Sequence, residues 1–120
     1  MTATEESSQQ MARLSDEMVR LYKEQFGRGP TRARSYFAGP DTVVSVLENT
    51  FTPAERNLAQ MGEHARLRDT RLFFQYAAEN AFTRTVEEIV GRRVHAFISG
   101  IDSTKDVCSE VFVLEPRSDA

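Results

Sequence analysis

The segment RRVHAFISGIDSTKDVCSEVFVL, residues 92–114, reads as a β-hairpin. From Arg92 to Gly100 the side chains alternate, with Val94, Ala96 and Ile98 on one face and His95 and Phe97 on the other. A second alternating run covers Val107 to Leu114, and Asp102-Ser103-Thr104-Lys105-Asp106 supplies the loop between the two. Further upstream, Thr31 to Ala38 and Thr42 to Glu48 are rich in aromatic and β-branched residues and flank Gly39-Pro40-Asp41, which predicts another hairpin. Two hairpins separated by a helical segment define an α+β class: N-terminal helix, β-hairpin, one or two central helices, second β-hairpin. The expected architecture is a four-stranded antiparallel sheet covered by helices on one face. On this reading Phe97, Phe112 and Leu114 put apolar groups on the opposite face, which favours a homodimer.

The helices have clear local signals. From Gln9 to Phe26 the apolar residues Met11, Leu14, Met18, Leu21, Tyr22 and Phe26 follow helical spacing. Gly27 supplies a left-handed closing residue, and Gly29-Pro30 prevents the helix from continuing. Thr52-Pro53-Ala54-Glu55 combines a capping hydroxyl, a proline at the first helical position and a glutamate three residues after the cap, so a helix starts there. Gly62 marks a break or a kink before a longer helix that ends at Gly91. The expected organisation is a disordered tail at 1–8, one α+β domain at 9–116 and a tail at 117–120.

Composition bounds the function. The chain of 120 residues is 40% apolar and 28% charged, which suits one folded domain. Its formal charge of −3 argues against general nucleic-acid binding, which draws on excess positive charge. No run of 18 apolar residues occurs and the opening MTATEESSQQ lacks the basic and apolar regions of a secretory signal, so a cytoplasmic protein is expected. The lone cysteine, Cys108, lies in an apolar run and reads as a small buried hydrophobe.

No catalytic motif is visible. His64 and His95 have no cysteine or histidine at a metal-ligand offset, and no glycine-rich phosphate loop or nucleophile elbow occurs. Metal, cofactor and catalytic residues are therefore expected to be none. Arginine supplies the interest, accounting for thirteen of the fifteen basic residues. Arg28, Arg32 and Arg34 follow Gly27 in a basic segment that reads either as part of a turn or as an anion or nucleic-acid contact. Arg68 and Arg71 share one helix side, and Arg71 falls on the apolar stripe with Leu67, Phe74, Ala78 and Phe82. An arginine there must snorkel outward, pair with a buried carboxylate, or face a ligand or partner. Phe73 points to the polar side of the same helix and is an interface candidate.

The order of signals resembles the MpsC-like bacterial family, first catalogued as a domain of unknown function. The matching stretches are LYKEQFGRGPTRAR at 21–34, VLENTFTPAERNL at 46–58, LRDTR at 67–71 and VEEIVGRRVHAFISGID through VFVLEP at 86–116. Gly27, Gly29 and Pro30 match its glycine-proline motif; Thr52, Pro53, Glu55 and Arg56 its helix start; Arg68 and Arg71 its arginine pair; Gly91 its glycine before the third strand. The resemblance implies a small accessory to the membrane subunits of a Na+-translocating, membrane-potential-generating system linked to bicarbonate supply.

Two readings from different classes follow. One is a non-enzymatic, homodimeric regulatory or assembly module on the cytosolic face of that system, held at the membrane through a partner. The other is a small anion-binding domain or enzyme using Arg68, Arg71 and His95, which requires those residues to converge. Nucleic-acid binding through Arg28, Arg32 and Arg34 is third.

Overall fold

In the computed structural model, which describes residues 2–117, the chain forms four helices and four strands. They are α1 (Ala3–Phe26), β1 (Arg32–Phe37), β2 (Thr42–Glu48), α2 (Pro53–Gln60), α3 (His64–Ala77), α4 (Glu79–Val90), β3 (Val94–Asp102) and β4 (Val107–Leu114). The strands make one antiparallel sheet in the order β1-β2-β4-β3, so the two hairpins meet through β2 and β4. This is the expected α+β arrangement.

Local chemistry accounts for most boundaries. Gly27 (φ 77°) closes α1 and Gly91 (φ 75°) closes α4, each giving its N–H to the carbonyl four residues earlier, Lys23 and Glu87. The Thr52–Glu55 capping box forms in both directions at the start of α2. Helix α1 begins at Ala3, six residues before the point where apolar periodicity starts. Thr2 Oγ1 accepts the Glu5 N–H, and Glu5 and Glu6 lie in the first turn, where carboxylates favour the helix dipole. Met1, and 118–120 of the expected C-terminal tail, lie outside the described residues.

The central region differs from the expected pattern. Gly62 does separate two helices, but the long helix expected after it is divided again at Ala78 (φ −90°, ψ 8°) with no glycine or proline nearby. Packing explains the break. On α3, Gln75 and Tyr76 are held to Ser99 of β3, whereas Phe82, Val86 and Ile89 of α4 enter the core beside α1.

The core lies between the helices and one sheet face. Met11, Leu14, Met18 and Tyr22 of α1 meet Phe82 and Val86 of α4 over Val43, Leu47, Cys108, Phe112 and Leu114 of the sheet. Phe112 is fully buried and Phe97 packs against the same core with its ring 5.4 Å from that of Phe112. These two residues and Leu114 therefore lie beneath the helices, correcting the expectation that they form an open-face interface. Alternation assigned their shared parity correctly but not which parity faces inward. The inward face carries Ser45, Ser99 and Glu110 among its apolar residues, while the outward one mixes Val44, Val46, Ile98, Val111 and Val113 with Arg32, Arg34, Glu48 and Asp102, so both faces look partly apolar and the four outward charges mark the side that stays in water.

Candidate functional site

A row of polar side chains crosses the buried sheet face. Strand register aligns Ser35, Ser45, Glu110 and Ser99 across all four strands. Apolar rows flank it: Phe37, Val43, Phe112 and Phe97 on one side, Ala33, Leu47, Cys108 and Ile101 on the other. Slipping any strand by two residues would set a polar residue against an apolar row, so the row favours a single register.

Glu110 is the centre of this row. Its Oε1 accepts from Tyr22 Oη at 2.7 Å, Ser99 Oγ at 2.9 Å and Gln75 Nε2 at 3.0 Å, drawing α1, β3 and α3 to one atom of β4. Oε2 is buried without a hydrogen-bond partner. Burial pushes the Glu110 carboxyl up to about 7, opposed by the three donated hydrogen bonds and by the charge of Arg71. Burial also raises Tyr22 well above the ordinary phenol range, with the charge on Glu110 adding to the effect.

Arg71 occupies the adjacent space, fully buried. Its Nη2 donates to Thr50 Oγ1 at 2.6 Å, and Nη1 lies 3.4 Å from Glu55 Oε1. The guanidinium carbon sits 3.6 Å from the centroid of the Phe26 ring, a cation–π contact shielded from water. The Thr50 hydroxyl in turn donates to Asp106 Oδ1 at 2.9 Å, linking the cation to the second hairpin loop. Cys108 lies between the two centres, 3.8 Å from both Arg71 Nη2 and Gln75 Oε1, and burial raises its thiol pKa despite the nearby cation. A buried thiol of this kind is a poor nucleophile.

The other sequence candidates do not converge on Arg71. Arg68 and His95 are exposed on α3 and β3, and among the described residues neither hydrogen-bonds to it. Arg28 donates to the Phe51 carbonyl, while Arg32 and Arg34 pair with Glu48 at 3.5 and 2.6 Å. Phe73 stands 71% exposed on α3, against Phe74 at a ring separation of 5.6 Å. Among the described residues, no group of three histidine, cysteine, aspartate or glutamate side chains is placed to hold a metal ion.

Glu110, Gln75 and Ser99 were not among the residues singled out from the sequence, and Tyr22 was read there only as an apolar position of the first helix. A signal was present: Glu110 shares strand parity with Cys108, Phe112 and Leu114, an acid on an otherwise apolar phase.

These features define a small α+β domain whose polar centre is closed inside the core and whose sheet has one face that no helix covers among the described residues. The chain belongs to the MpsC family: residues 6–116 match the model described as Na+-translocating membrane potential-generating system (MpsC). No curated protein and no solved structure gives a match.

Proposed function

We propose that the chain is a non-enzymatic, homodimeric assembly or regulatory module that docks on membrane subunits of a Na+-translocating system from the cytosolic side, in a system tied to bicarbonate supply. The family supplies the link to a membrane-potential-generating system. Among the described residues no helix is long and apolar enough to cross a membrane, and in this reading contact with that system is made through a protein surface. The observation that carries the reading is Phe73, 71% exposed on α3 and backed by Phe74 at 42%. Adjacent aromatics left in water form an anchor that a partner can cover.

The test is co-purification of the chain with the membrane subunits of its own system, together with Na+-dependent membrane potential in cells whose copy is replaced. Phe73→Ser should reduce both while leaving the fold intact. Full co-purification and unchanged potential with that variant would remove Phe73 from the docking surface. Full potential in cells lacking the chain altogether would overturn the functional reading.

A further inference from the structure

All the helices that contact the sheet do so on the face carrying Val43, Leu47, Phe112 and Glu110. The other face has an apolar centre made by Val44, Val46, Val111 and Val113 of the two middle strands, none of which belongs to the core cluster. Its most exposed apolar side chains are Tyr36 (46%) and Ile98 (54%), which lie on opposite edge strands. Four strands about 4.8 Å apart and seven paired residues at about 3.3 Å each give a plane of roughly 450 Å². Arg32, Arg34, Thr42, Glu48, Asp102 and Ser109 share this plane with the valines, so its apolar part is the smaller region around Val44, Val46, Val111 and Val113. Two such planes, with side-chain relief added, pass the roughly 1,000 Å² of total burial that marks a specific interface.

Register makes this face self-complementary. Tyr36 pairs with Val44, Val44 with Val111 and Val111 with Ile98, so the two exposed edge residues stand in the same row. Arg32, Glu48, Val107 and Asp102 form another row at the end of the sheet, with a cation at one edge and an anion at the other. The Arg32 side chain is 66% exposed, and its nearest carboxylate contact is Glu48 at 3.5 Å through Nε. Asp102 uses Oδ1 to accept from the Thr104 and Lys105 N–H groups, which leaves Oδ2 for another donor. A two-fold axis parallel to the strands exchanges the two edges within each row. An axis across the strands would instead lay β1 on β1 and bring Arg32 toward the end of the sheet where Thr42 lies.

We propose that this open face is closed by a second copy of the chain, sheet on sheet, about a two-fold axis parallel to the strands. Tyr36 then covers the partner's Ile98, Val44 meets the partner's Val111, and Arg32 reaches the partner's Asp102, each contact occurring twice. Aligned sheets pack about 10 Å apart with strands crossing near 30°, which leaves the Tyr36–Val44–Val111–Ile98 row near the centre of the interface and puts Arg32 and Asp102 at its rim, where long side chains bridge the gap. The inference rests on the homodimer proposed above and adds its face, axis and pairing.

The experiment is size-exclusion chromatography with light scattering on the full chain, followed by cysteine cross-linking. The wild-type chain should be a dimer, and Ile98→Asp should weaken it at least about 100-fold with an unchanged circular dichroism spectrum. An equal mixture of Tyr36→Cys and Ile98→Cys chains should give a disulfide-linked dimer on oxidation, while either variant alone should not. This arm reads the interface even if Ile98→Asp fails to fold. A monomeric wild-type chain would overturn both this inference and the homodimer. A dimer indifferent to Ile98→Asp and without the mixed cross-link would place the interface elsewhere and leave the homodimer standing. Self-linking of Tyr36→Cys would overturn the axis.

Discussion

The guanidinium of Arg71 lies 3.6 Å from the centroid of the Phe26 ring, so the charged end of an arginine is packed as part of the core. Thr50, Glu55 and Phe26 hold it from three separate segments, and Nε alone is buried without a partner. A buried cation kept this way contributes through packing and specificity more than through net electrostatic gain. Arg71→Ala should destabilise the chain by about 3–5 kcal/mol, since it leaves a cavity and strands the groups that faced the charge. Arg71→Met fills much of the same volume and should cost only about 1–2 kcal/mol. Urea denaturation of both variants tests the difference; equal losses would show that the charge itself, rather than the filled space, matters most.

Glu110 gives stability a pH dependence of definite sign. Its folded pKa is raised from 4.5 to about 7, chiefly by burial. The folded chain therefore keeps a proton that the unfolded chain releases above about 4.5. The stabilisation is fully present below that pH and is lost as pH rises through about 7, a total on the order of 3 kcal/mol. Comparing wild type with Glu110→Gln removes the background from other carboxylates. The stability difference between the two should shift toward the wild type by about 1.4 kcal/mol per unit as pH falls from 7 to 5, and a flat difference would contradict the buried acid.

Cys108 is fully buried and its thiol pKa is raised by that burial. A thiol-specific disulfide reagent should leave it untouched in native buffer and modify it readily in denaturant. Intermediate denaturant should give labelling rates that follow the open population. Rapid labelling of the folded chain would place the sulfur at the surface.

Thr52 and Glu55 separate capping from charge pairing. Thr52→Ala removes the acceptor for the Glu55 N–H and should cost about 1 kcal/mol. Glu55→Ala removes the reciprocal bond to Thr52 N–H and also the carboxylate nearest Arg71, so it should cost about 2–3 kcal/mol. Glu55→Gln should fall between them, because an amide oxygen retains the cap but not the charge. Thermal unfolding at a fixed pH gives the order, and equal losses for Thr52→Ala and Glu55→Ala would remove the Arg71 contact from the account.

What could be read from residues 1–120 alone follows from short-range chemistry. The caps at Gly27, Thr52 and Gly91, both hairpins, the amphipathic phase of α1 and the family all rest on neighbours within a few positions or on motifs in order. The candidate site was legible in part: Arg71 stood out as a charge on an apolar stripe, but its partners Thr50 and Phe26 come from segments that spacing cannot bring together. Glu110 was hidden because a lone acid in a strand is ordinarily read as solvated.

Tertiary structure decided the rest. Alternation put His95 and Phe97 in one phase and Val94, Ala96 and Ile98 in the other, but a period-two pattern does not say which phase is inside, and it missed the register shift between Val94 and Ala96 that sets Val94 beside Leu114. Here both sheet faces carry apolar residues, and the helices cover the one whose polar row meets Tyr22 and Gln75. The division of α3 from α4 at Ala78 has the same origin, since contacts to Ser99 and to the core draw the two segments in different directions. Local sequence determines which conformations each segment prefers, whereas contacts between distant segments determine which face of that segment leaves water.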